Sequence, residues 1–184
     1  AGSALLNSDI FGGTGNSMAE DLALDSNGNP VLAGWTDSND FPVLNAIQAT
    51  KGDAIYADGF VRRYSAAGTV LSSTYLGGAN DQYLYAVALG ADNAIYVSGM
   101  TKLLDPDGDA FITKLDASAT TLSYHRKLIG SLYDAAFDVA VDAGGRAYVV
   151  GATDSADFPI ANAIDGTYGG NRDGFLAVLD PSGA

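Results

Sequence analysis

The sequence predicts an all-β fold of short antiparallel strands, and three observations predict it. The first is composition: the 184 residues include 23 glycines, and twenty-one of the 22 acidic residues are aspartate, Glu20 being the exception. Aspartate and glycine suit turns, where a short polar side chain bonds the local backbone and φ > 0 is tolerated; the helix formers Glu and Lys are scarce. The second is patterning. Stretches such as DLALD (Asp21–Asp25), YAVALG (Tyr85–Gly90) and DVAVD (Asp138–Asp142) set small Ala23, Ala88 and Ala140 between larger Leu or Val. They are apolar on both sides, as strands covered on both faces are. The third is internal repetition.

The segment GNPVLAGWTDSNDFPVLNAI at Gly28–Ile47 returns as GRAYVVGATDSADFPIANAI at Gly145–Ile164, with NAIYVSGMT at Asn93–Thr101 between them. A second signature follows each: DGFVRRY (Asp58–Tyr64), DAFITKL (Asp109–Leu115) and DGFLAVL (Asp173–Leu179). A third precedes each: DIFGG (Asp9–Gly13), TYLGG (Thr74–Gly78) and, more weakly, KLIG (Lys127–Gly130). Residues 1–184 therefore divide into three tandem units, approximately 4–69, 70–121 and 122–184, the middle one shortened after Thr101. Each unit reads as four strands, in the first about 4–11, 20–25, 30–36 and 57–64, joined by Gly- and Asp-rich turns. Four-stranded antiparallel units packed face to face between two neighbours make a β-propeller, each unit being one blade.

The pattern YLGG…AVALGADNAIYVSGMT…DAFITKLDASAT, together with TDSNDFP and the terminal FLAVLDPSG, resembles the bacterial seven-bladed beta-propeller repeat family, SBBP. The resemblance covers essentially the whole chain, three times over. It implies propeller blades, an exported or surface location, and a module of longer chains without an assigned activity. The chain departs from that pattern in two ways: the middle repeat lacks the DFP loop, and three blades fall short of a ring.

Rings close with about four to eight blades. The repeat register makes Ala4–Phe11 the outermost strand of a blade whose inner strands are not in the sequence, while the last blade has three strands, about 137–142, 146–152 and 173–179. An exposed sheet edge invites pairing with another chain. The expectation is an assembly strand (Leu5, Leu6, Ile10, Phe11) that completes the open last blade of another copy, giving a six-bladed dimer ring or a filament. A piece of a longer propeller, its missing blades elsewhere, is the competing reading.

The formal net charge of −13 argues against nucleic acid and anionic membrane surfaces as partners. No apolar run approaches the roughly 18 residues of a spanning helix, so no membrane insertion is expected. The start AGSALLNSDI has neither a basic region nor a long apolar stretch, so any signal is expected to have been removed from a protein that works outside the cell or on its surface. There is no cysteine, so neither disulfides nor thiol chemistry.

Strand order places the loops after the second and fourth strands of each unit on one face, which collects Asp37, Asp40, Asp154 and Asp157 beside Trp35 as candidate ligand contacts, with glycan as the ligand class. Asp105-Pro-Asp107-Gly-Asp109 is the candidate cation loop, because alternating carboxylates with a glycine suit Ca²⁺; the competing reading is a turn plus a repeat-position aspartate. No other cofactor is expected. Phe41-Pro42 and Phe158-Pro159 are expected to anchor long loops on their blades, with Ile47 and Ile164 packing beside them. His125, the sole histidine, is expected to be a solvated strand residue, and no GxSxG elbow accompanies it. No catalytic residue is assigned. The leading function is therefore a non-catalytic structural or interaction module. A glycan- or Ca²⁺-binding propeller comes second, and a carboxylate-based glycoside hydrolase third.

Overall fold

A computed structural model of the chain describes residues 4–102 and 108–184. The described residues hold no helix and form three antiparallel sheets stacked one behind the next. The first contains β1 (Ser17–Leu24), β2 (Pro30–Thr36), β3 (Asp58–Tyr64) and β4 (Val70–Leu76) in that order. The second contains β5 (Asp81–Leu89), β6 (Ile95–Lys102), β7 (Gly108–Leu115) and β8 (Leu122–Leu128). The third contains β9 (Asp134–Val141), β10 (Ala147–Thr153) and β11 (Asp173–Leu179). None closes into a barrel, so the architecture is that of incomplete propeller blades, as the repeats predict.

Residues facing each other across a sheet share a side, and the repeats make the sides equivalent from blade to blade. Phe60, Phe111 and Phe175 stand opposite Gly34, Gly99 and Gly151 on the side toward the preceding blade. Their successors Val61, Ile112 and Leu176 face the following blade. One core lies between the first two sheets, where Val31, Ala33 and Val61 meet Leu84, Val87, Val97 and Phe111. A second lies between the next two, where Tyr96 and Ile112 meet Val139, Val149 and Leu179. Full burial of a Val, Leu, Ile or Phe side chain stabilises by about 1.5–3 kcal/mol, so these two layers hold the stack together.

Each innermost strand carries the same bulge, leaving Glu20, Tyr85 and Phe137 as the extra residue. The bulge lets Asp21 of the first blade accept the Val87 backbone N–H of the second at 2.9 Å. The repeat signature contains no visible mark of this bulge except the glycine of GWT, GMT and GAT. At Gly34, Gly99 and Gly151 an added Cβ would stand 2.0, 1.9 and 1.9 Å from the carbonyl oxygens of Met18, Tyr83 and Ala135.

One expected strand does not form. Ala4–Phe11 has no regular secondary structure and no ladder partner, because a strand needs a neighbouring edge and the first sheet is already complete with β4 outermost.

Candidate interaction interface

The unpaired segment before β1 is nonetheless placed. Phe11 packs edge-on to Phe60 (5.7 Å between ring centroids) and Phe41 (6.1 Å) on the open side of the first sheet. The Asp9 carboxylate accepts a hydrogen bond from the Tyr64 hydroxyl at 2.7 Å and pairs with Arg62 at 3.3 Å; the Tyr64 bond leads in holding its pKa below the ordinary value. The Asn7 amide donates to the Ala67 carbonyl beside Gly68. Asn7, Asp9 and Phe11 thus touch the first blade, while Leu5, Leu6 and Ile10 are exposed. The three contacts are spaced by two residues, as in a strand lying flat against a sheet.

These contacts reproduce those of the outermost strands further along. Phe11 aligns with Leu76 and Leu128, which pack into the two interblade cores beside Phe111 and Phe175. Asn7 aligns with Tyr124, whose ring lies over Gly183 of the next blade as Asn7 lies over Gly68. The segment therefore occupies the place of an outermost strand belonging to a blade in front of the first.

The other end of the stack is open in the complementary sense. The outer edge of β11 has no partner strand among the described residues. On its open side Leu176 is 65% exposed, whereas Val61 and Ile112 in the same repeat position are 0% exposed. Val150 and Val178 beside it are exposed too, and across the stack so are Leu22 and Leu24 of β1. A single exposed Leu is ordinary, but contiguous apolar sheet faces at both ends are a docking signal.

The acidic candidates serve the loops. The Asp40 carboxylate accepts the Thr14 N–H at 2.8 Å and Asp157 accepts the Ser131 N–H at 2.8 Å. Ser38 and Ser155 likewise accept the Gly15 and Leu132 N–H groups at 2.8 and 2.9 Å. Asp37 takes both the backbone and side-chain N–H of Asn16, and Asp154 is bound to Arg172 by two bonds of 2.7 and 2.8 Å. The TDS-x-D repeat thus ties each long loop to the turn before the innermost strand. Sequence reasoning missed this role, although the repetition of Ser38 and Ser155 within the motif was its signal.

Trp35 is half-buried, donates its indole N–H to Glu20 at 2.9 Å and meets Tyr83 edge-on at 5.5 Å. Asp105 and Asp107 lie outside the described residues. Asp109 is buried on β7 with Lys127 at 3.0 Å, and among the described residues no three metal-ligating side chains cluster. His125 sits on β8, its Nδ1 2.8 Å from the Thr113 hydroxyl. The loop anchors divide. Phe41 stacks on Phe60 at 4.8 Å and Phe158 lies 4.5 Å from Phe175, while Ile47 packs on the first core. Ile164 does not pack as expected: it is fully exposed.

No family model matches the chain, and no match is found among curated proteins.

Proposed function

We propose that this chain is a non-catalytic, exported structural and interaction module, a run of propeller blades that works by docking further blades onto its two open faces. Further copies of the chain supply them, in a six-bladed ring of two copies or a head-to-tail filament where the rotation does not close. The carrying observation is the repeat equivalence of exposed and buried positions: Leu176 lies open where Val61 and Ile112 are sealed by the next blade. A surface with the composition and shape of one half of an interblade core is stabilised by receiving the other half. The resemblance of the repeats to exported propeller modules supports the location. Light scattering over a range of concentrations tests the reading. Two chain masses, or a growing series, is the expected result; a single-chain mass at every concentration overturns it.

A further inference from the structure

The third blade contains a preformed slot for one extended strand, and its dimensions can be read from the first blade. There, β4 is bracketed on both edges. On the inner edge it pairs with β3, Phe60 opposite Tyr75 and Arg62 opposite Ser73. On the outer edge the long loop closes over it: Leu44 and Ser73 exchange two backbone bonds of 2.9 and 2.8 Å, and the Tyr75 N–H donates to the Gln48 carbonyl at 3.2 Å. The Asn45 side chain adds a bond to the Leu71 carbonyl at 3.0 Å. Asn45 reaches this position through a left-handed backbone, φ 50°.

The third blade repeats the inner edge, the aromatic pair and the left-handed turn of that slot. β11 repeats β3, Phe158 and Phe175 repeat Phe41 and Phe60, and Asn162 holds φ 49° as Asn45 holds 50°. The loop thus keeps the same left-handed turn with no strand beneath it among the described residues, and its residues from Pro159 to Thr167 are exposed. Left-handed backbone is uncommon at a residue other than glycine, so its recurrence marks a conformation set by the repeat.

We infer that this slot receives the Ala4–Phe11 segment of a second copy, by addition of a strand to an open edge, in the register that β4 keeps on β3. Phe11 lies opposite Gly174, Ile10 opposite Phe175, Asp9 opposite Leu176 and Ser8 opposite Ala177. The occupant is fixed by two facts. The segment already holds the place of an outermost strand against its own first blade. Its apolar residues Leu5, Leu6 and above all Ile10 are without a surface. Ile10 packs against the Phe158–Phe175 pair as Tyr75 packs against the stacked Phe41 and Phe60, while Asp9 and Phe11 keep their contacts to Arg62, Tyr64 and Phe60 of their own chain. Insertion of the strand and stacking of the Leu176 face on the first blade of that copy then occur together. This inference rests on the docking of copies proposed above and adds the segment, the slot and the register.

The chain has no cysteine, so two single-cysteine full-length chains, Ser8→Cys and Ala177→Cys, report the register directly. Directly opposed strand residues lie about 4.5–5.5 Å apart, within disulfide reach. Mixed and oxidised, the pair is expected to yield the mixed disulfide. The Leu5→Cys and Ala177→Cys pair, ~10 Å out of register, is expected to lose it. Light scattering on the same mixtures separates the outcomes. Doubled mass without the in-register disulfide, or with both pairs linking equally, overturns the slot and leaves docking of copies standing. Single-chain mass with no disulfide overturns both.

Discussion

Asp58 sits at the first position of the DGF signature, fully buried, with its Oδ2 accepting bonds from the Gln48 amide and the Gly52 N–H at 2.9 and 2.8 Å and its Oδ1 without a partner among the described residues. Burial pushes its pKa up, and Asp134 in the third blade is raised for the same reason. A carboxyl that binds its proton more tightly folded than unfolded loses stability as pH rises from about 3.9, the unfolded value, through the folded one. The penalty is complete above the folded pKa. Replacing Asp58 with Asn keeps an oxygen for Gln48 and Gly52 and removes the buried charge. The Asp58→Asn chain is expected to melt about 2–4 °C above the native protein at pH 7, a gain of roughly 1 kcal/mol, and level with it at pH 3. Thermal melts at the two pH values check this, and a lower melting temperature at pH 7 would refute it. The opposite sign holds for Asp116, whose hydrogen bonds to Ser118, Thr120 and Thr121 outweigh burial and bring it down to about 2. Its contribution persists above the unfolded value and is lost only as pH falls through the folded one.

At the scale of the element, the repeat glycine before Trp35, Met100 and Ala152 explains how three different side chains follow one backbone. The innermost strand bulges toward this glycine, and the carbonyl oxygen of Tyr83 leaves no room for a Cβ at Gly99. Backbone cannot swing aside as a side chain can. Gly99→Ala is expected to destabilise the fold by about 3 kcal/mol in denaturant melts, at the upper end of overpacking costs. Gly78→Ala is the control: its nearest neighbour would be the Gln82 amide nitrogen at 3.8 Å, so a change within about 0.5 kcal/mol is expected. Equal losses in both would mean that backbone contact is not what Gly99 provides. The strands of the three sheets were legible because their apolar runs and the GWT, DGF and YLGG signatures recur in a fixed order. Ala4–Phe11 carries the same signature, yet it is not a strand, since pairing depends on an edge the local sequence does not contain. The acidic loop face was legible as a cluster of aspartates but not as a set of loop ties. Whether a carboxylate faces solvent or the Thr14 N–H is decided by the fold of a neighbouring turn.

At the scale of the stack, the described residues form two complete interfaces and leave a half-interface open at each end. The open half on the third blade can be separated from the sealed ones by a single kind of substitution placed at equivalent positions. Val61→Asp puts an unpaired carboxylate into the core between the first and second blades, where a charge without a partner costs about 3–5 kcal/mol. Leu176→Asp puts the same group on a residue that is open in one chain, and a surface change of this kind lies within about 0.5 kcal/mol. Where copies dock, however, Leu176 is as buried as Val61. The two variants should therefore behave alike in one respect and differently in another. Val61→Asp is expected to unfold the chain. Leu176→Asp is expected to leave its dilute-solution melt unchanged while abolishing the doubled mass at high concentration. If Leu176→Asp assembles like the native chain, the open face is not the docking surface, and the exposed Leu176, Val150 and Val178 need another explanation.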